Sequence, residues 1–135
     1  MITRLSHVTV YVLDQEEALA FYTEKLGFEI REDMTLDGFR WLTVGLPSQP
    51  DVDLALVKPG PPMFDPETAA QLEAMIAKGV LGPGVMATDD CRRDSAHLED
   101  AGVEFLQTPD EQPYGIEAVF RDNSGNWYSL TQPSS

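Results

Sequence analysis

The chain repeats itself. Leu5 to Phe28 reads L-S-H-V-T-V-Y-V-L-D-Q-E-E-A-L-A-F-Y-T-E-K-L-G-F, and a degraded copy returns at Pro83 to Val103 as P-G-V-M-A-T-D-D-C-R-R-D-S-A-H-L-E-D-A-G-V. In the first copy Val8, Val10 and Val12 alternate with His7, Thr9 and Tyr11, the period of a strand with one apolar face. Asp14 is placed to cap a helix, with Glu16 and Glu17 in its first turn, where the helix dipole favours acids. Ala18, Leu19, Phe21, Tyr22 and Leu26 make its apolar face, and Gly27 stops it. The second copy repeats this plan with Gly84 to Thr88, a cap at Asp89 or Asp90, and Cys91 to Ala101 ended by Gly102.

Each copy continues with three strands. Phe28 to Met34, Phe39 to Leu46 and Asp53 to Lys58 follow the first helix, with a turn at Leu36-Asp37-Gly38. Val103 to Gln107, Gly115 to Arg121 and Trp127 to Gln132 follow the second, with Thr108 to Gln112 expected as a loop and Pro133-Ser134-Ser135 as a tail. Leu26-Gly27-Phe28-Glu29 aligns with Ala101-Gly102-Val103-Glu104 at an offset of 75. Between the copies, Lys58-Pro59-Gly60-Pro61-Pro62 breaks regular structure. A linking helix then begins at Asp65-Pro66-Glu67 and ends at Gly79.

One four-stranded sheet with one helix cannot bury both of its faces, whereas two such units can. The expected fold class is α+β: two βαβββ modules whose curved mixed sheets form a cleft with helices outside, plus an inter-module helix. Residues 1–135 are read as a single domain, with module one at 1–59, the linker helix at 60–80 and module two at 81–133.

A net charge of −14 disfavours phosphate backbones and anionic membrane surfaces, so neither nucleic acid nor a membrane is an expected partner. No apolar run is long enough to span a bilayer. The single cysteine, Cys91, excludes an internal disulfide and a cysteine metal cluster. The N-terminus lacks the apolar region of a secretory signal, and a cytoplasmic location is the expectation.

Three segments, L-S-H-V-T-V-Y-V-L-D, A-L-A-F-Y-T-E-K-L-G-F and F-R-D-N-S-G-N-W-Y-S-L-T-Q, resemble the vicinal oxygen chelate superfamily, which includes glyoxalase I, extradiol dioxygenases and bleomycin-resistance proteins. In metal-dependent members, the resemblance implies, His, Gln or Glu side chains from the first and last strands of each module hold a divalent ion that polarises substrate oxygens. Here the corresponding positions are His7, Ala55, Gly82 or Pro83, and Ser129. His7 alone keeps a metal donor. Asp53, Glu117 and Asp122 carry donors but lie off those positions. A lone imidazole does not hold a divalent ion tightly, so no metal and no cofactor are expected, and no catalytic residue is assigned.

If His7 marks the concave face, alternation brings Thr9 and Tyr11 with it. Phe39, Trp41, Ala55, Trp127 and Ser129 are assigned to the same hollow, together with Ala118 and Phe120 on the seventh strand and Met86 on the fifth. Met63 and Phe64 in the linker and Tyr114 before the seventh strand complete the set. Small residues where metal ligands would stand leave volume, and aromatic walls suit flat ligands. The expectation is a protein that sequesters an apolar or aromatic compound, an antibiotic among the candidates, as a homodimer. The alternative is a metal-dependent lyase, isomerase or ring-cleaving dioxygenase on the same scaffold.

Overall fold

The computed structural model describes residues 1–134. Its elements are β1 (His7–Tyr11), α1 (Gln15–Ala20), β2 (Glu29–Leu36), β3 (Phe39–Gly45), β4 (Asp53–Val57), α2 (Pro66–Lys78), β5 (Gly84–Ala87), α3 (Cys91–Asp100), β6 (Phe105–Gln112), β7 (Gly115–Arg121) and β8 (Trp127–Pro133). The strands form two four-stranded sheets, ordered β1-β4-β3-β2 and β5-β8-β7-β6. In each, the first and last strands of a module run parallel and the other pairs antiparallel. This is the expected pair of βαβββ modules.

The local signals act as the side chains dictate. The Asp14 carboxylate accepts from the Glu17 amide, Asp65 from Thr68 and Asp90 from Arg93, so all three helices are capped by an acid three residues before the satisfied amide. The first helix does not end at Ala20 but widens into a π-helical turn over Phe21–Lys25. That turn buries Phe21 and Tyr22. Asp37 and Gly38 both take positive φ, 53° and 81°, which a two-residue hairpin between β2 and β3 requires.

Three boundaries differ from the sequence reading. Thr108 to Gln112 is strand, not loop: β6 is an outer strand with irregular register on either side of Gln107, where a proline can sit without breaking an inner ladder. β8 runs through Pro133, so the expected tail is reduced to Ser134, with Ser135 outside the described residues. β2 extends to Leu36 and carries a bulge between Ile30 and Glu32.

One apolar core draws on both modules. Val10, Val12, Leu42, Val44 and Leu56 from the first sheet meet Ala18, Phe21 and Tyr22 of the first helix; Ala118, Phe120, Tyr128 and Leu130 meet Cys91 and Leu98 of α3. The joint is polar and buried. Asp122 accepts from the amides of Ser124, Gly125 and Asn126, each at 2.9 Å, which closes the β7–β8 turn. From that turn Asn126 donates to the Tyr11 carbonyl at 2.8 Å, and Ser124 accepts from the Leu13 amide at 2.9 Å. α2 braces the same turn: a Cβ on Gly125 would stand 2.5 Å from the Ile76 carbonyl oxygen. Among the described residues, no helix is long and apolar enough to cross a membrane.

Candidate functional site

Register decides which side chains share a face. In the first sheet Thr9 stands opposite Ala55, and Ala55 opposite Thr43. Alternation then brings His7, Tyr11, Asp53, Trp41 and Phe39 to that face, while Val8, Val10, Leu42, Val44 and Leu56 turn to the core. The His7 and Trp41 rings lie 5.3 Å apart, and Tyr11 meets Phe64 of the linker edge-on at 5.6 Å. The linker therefore touches one end of this wall. Met63, beside Phe64, is half exposed.

The polar part of the wall is arranged around His7. Its Nδ1 lies 2.9 Å from Ser6 Oγ. Its Nε2 is buried and has no hydrogen-bond partner, and the same holds for Oγ1 of the fully buried Thr43. Glu32 Oε1 and Asp53 Oδ2 stand 3.5 and 3.7 Å from Nε2. Trp41 Nε1 donates to Glu32 Oε1 at 3.1 Å, and Arg31 donates to Asp53 Oδ1 at 2.9 Å. Buried polar atoms without partners are uncommon, and leaving one costs about 1–3 kcal/mol.

The second sheet presents a separate wall. Ser129 faces Val85 and Val119, and Thr131 faces Glu117. Ser129 donates to Glu117 Oε2 at 2.6 Å, and the Tyr114 hydroxyl donates to Oε1 at 2.6 Å. These two hydroxyls, Ser129 foremost, hold the Glu117 carboxyl below its ordinary value. Trp127 alternates with Ser129 and lies over Gly82, where a Cβ would come within 2.2 Å of the indole. A side chain at 82 is thereby excluded.

Three expected residues do not share these walls. Ala118 pairs with Leu130 and Phe120 with Tyr128, so both face the core, each fully buried. Met86 pairs with Leu130 and faces the same way. The sequence reading placed Ala118 and Phe120 with Ser129, but the residue opposite Ser129 is Val119, one step out of phase. Met86 instead lines two open cavities between the modules, of about 620 and 550 Å3. The larger is bounded by Val8, Val10, Leu54 and Tyr128, on the sides of the sheets opposite His7 and Ser129.

Two wall residues were not assigned from sequence. Asp53 lies two residues before Ala55, so parity alone places it beside His7. Glu32 was hidden by the bulge after Ile30, which resets the alternation of β2. Of the positions where the superfamily resemblance implies metal ligands, His7 keeps a donor, whereas Ala55, Pro83 or Gly82, and Ser129 offer none suited to a tight divalent site.

Comparison with known proteins matches this architecture. The family model for the Glyoxalase/Bleomycin resistance protein/Dioxygenase superfamily matches residues 4–130. The crystal structure of UcmS2 superposes with a TM-score of 0.92 at 56% identity, covering 97% of this chain and 98% of that one. TnmS3, an antibiotic binding protein from Streptomyces sp. CB03234, superposes with a TM-score of 0.78 at 34% identity over 98% of each chain. The uncharacterized protein YurT of Bacillus subtilis (strain 168) is 32% identical over 124 residues, 92% of this chain and 94% of its own. A duplicated βαβββ scaffold, a family model spanning residues 4–130 and these relatives together place the chain in the Glyoxalase/Bleomycin resistance protein/Dioxygenase superfamily, to which it belongs.

Proposed function

We propose that the protein sequesters a small aromatic or apolar compound, an antibiotic among the candidates, without breaking a bond in it. The observation that carries this reading is the aromatic wall of Trp41, Tyr11 and Phe64 on the first sheet, with the small Ala55 at its centre. Flat aromatic surfaces stack on such side chains, and small residues between them leave room. The antibiotic-binding relative TnmS3 supports an antibiotic as a candidate ligand. Sequestration acts by mass action, so it needs protein in excess and a low dissociation constant, not turnover.

The ligand cleft is completed in a homodimer: the His7 wall of one copy faces the Ser129 wall of another. Met34 and Leu36 on the first sheet and Val85 and Tyr114 on the second support this reading, because each leaves about half or more of its surface exposed in the single chain. Apolar surface of that kind is what an interface or a ligand covers. The protein works in the cytoplasm, as one domain.

The test is a thermal-shift and calorimetric screen of the purified protein, with a chelator present, against planar aromatic antibiotics and metabolites. Saturable stabilisation with the compound recovered unchanged supports sequestration. Conversion of the compound, or no stabilisation across the screen, counts against it.

A further inference from the structure

We propose that His7, Glu32 and Asp53 form a site for a first-row divalent cation, of which Zn2+ is the type, on the wall of the first sheet. The site shares only His7 with the ligand set that the superfamily resemblance implies. Glu32 on β2 and Asp53 at the start of β4 lie off the positions that the resemblance implies. The inference stands apart from sequestration, which neither needs the cation nor forbids it.

Spacing is the first argument. One donor atom from each of the three residues lies within 4.8 Å of the other two, and Nε2 is 3.5 and 3.7 Å from the carboxylate oxygens. Those separations are long for hydrogen bonds, and Nε2 has no hydrogen-bond partner among the described residues. Four donors around an ion at about 2.0–2.2 Å stand roughly 3.3–3.6 Å apart, as the edges of a tetrahedron. A primary ammonium with hydrogen bonds of about 2.9 Å would need its acceptors roughly 4.7 Å apart. The two separations measured from Nε2 fit an ion better than an amine.

Orientation is the second argument. Each donor is fixed by another group through its other atom or from its flank: Nδ1 by Ser6, Asp53 Oδ1 by Arg31, and Glu32 by Trp41. An Nδ1–H given to Ser6 leaves the lone pair on Nε2. Supporting contacts of this kind set tautomer and angle in protein metal sites. The third argument is Thr43. It stands opposite both Glu32 and Ala55, is fully buried, and its hydroxyl has no partner. It is a second buried polar group on this wall lacking a counterpart.

The donor set selects the ion. One imidazole and two carboxylates suit Zn2+, Co2+, Ni2+ or Mn2+, whereas Ca2+ takes six to eight oxygens and Cu(I) prefers sulfur. Three protein donors leave a coordination position open to water. His7 is one-third and Glu32 nearly one-half exposed, so an ion can enter from solvent.

The full-length protein, stripped with EDTA and dialysed, is titrated with ZnCl2 by calorimetry and with CoCl2 by visible absorption. The expected result is one equivalent of each ion, with four- or five-coordinate cobalt bands, and a loss of affinity of about tenfold or more in both His7→Ala and Glu32→Gln. His97→Ala, on the exposed face of α3, should bind as the parent does. Glu32 is exposed, so Glu32→Gln tests the site without disturbing the core, and circular dichroism checks each variant. No saturable uptake, or uptake unchanged in Glu32→Gln, overturns the proposal. Aromatic binding with no ion uptake defeats this inference alone. Ion uptake with no aromatic binding defeats the sequestration reading alone.

Discussion

The Tyr22 hydroxyl donates to Asp122 Oδ2 at 2.7 Å, joining the first helix to the β7–β8 turn across a hundred residues of chain. Tyr128 lies 2.8 Å from the same hydroxyl. Burial, reinforced by Tyr128 and Asp122, pushes the Tyr22 phenol well above its ordinary value, so it stays a donor throughout the working pH range. Asp122 meanwhile holds the turn that grips β1 through Asn126 and Ser124. Tyr22→Phe removes one donor from a buried carboxylate and should lower stability by about 1–3 kcal/mol. Urea denaturation measures it, and an unchanged midpoint would show the bond to be dispensable.

Phe120 belongs to the core. Its ring stacks on Tyr128 at 5.7 Å and meets Phe105 at 5.9 Å. Phe120→Ala should cost about 3–5 kcal/mol by denaturation. A stable Phe120→Ala protein with impaired ligand binding would return this residue to the ligand wall.

Trp41 is expected to behave in the opposite way. It is partly exposed, with its indole against His7 and its N–H on Glu32. Trp41→Ala should weaken binding of an aromatic ligand about tenfold or more, with less than about 1.5 kcal/mol lost in stability. Calorimetry on a ligand from the screen, beside a denaturation curve, reads both quantities.

Glu117 supplies a pH signature. The Ser129 and Tyr114 hydroxyls lower its folded-state value. A carboxyl depressed in the folded state contributes stability that is complete above its unfolded value and lost as pH falls through its folded value. The loss therefore belongs below the ordinary carboxylate range. Ser129→Ala should move the Glu117 titration upward, and carbon-detected NMR of the side-chain carboxyl would show it. No movement would mean that the hydroxyl does not hold the carboxylate.

A cleft shared between two copies makes a complementation prediction. Trp41→Ala damages one wall and Val85→Glu the other. Each alone should bind poorly. Dimers refolded from an equal mixture should regain binding, because one of their two clefts then has both walls intact. Sedimentation as a monomer, or no recovery in mixed dimers, would refute the shared cleft.

The sequence disclosed the modules because period and punctuation are local. Valines alternate in β1, acids precede each helix, and Gly27, Gly79 and Gly102 follow each one. What stayed hidden depends on pairing. The phase of β7 cannot be counted from β8 without the register, and Ala118 and Phe120 suit a cavity wall or a core equally well. Glu32 was masked by one extra residue in β2. Pro109 looked like a loop because its tolerance comes from lying on an outer strand, which only the assembled sheet reveals. Asp53 could have been found, since it lies two residues from Ala55.

The four outer strands are not alike. β2 and β6 are interrupted by shifts in register, and β6 carries a proline, whereas β1 and β5 keep unbroken ladders with their inner neighbours. Irregular borders resist the addition of further strands. Backbone recruitment is thereby confined to the β1 and β5 borders, so any added strand would extend each sheet on one side only.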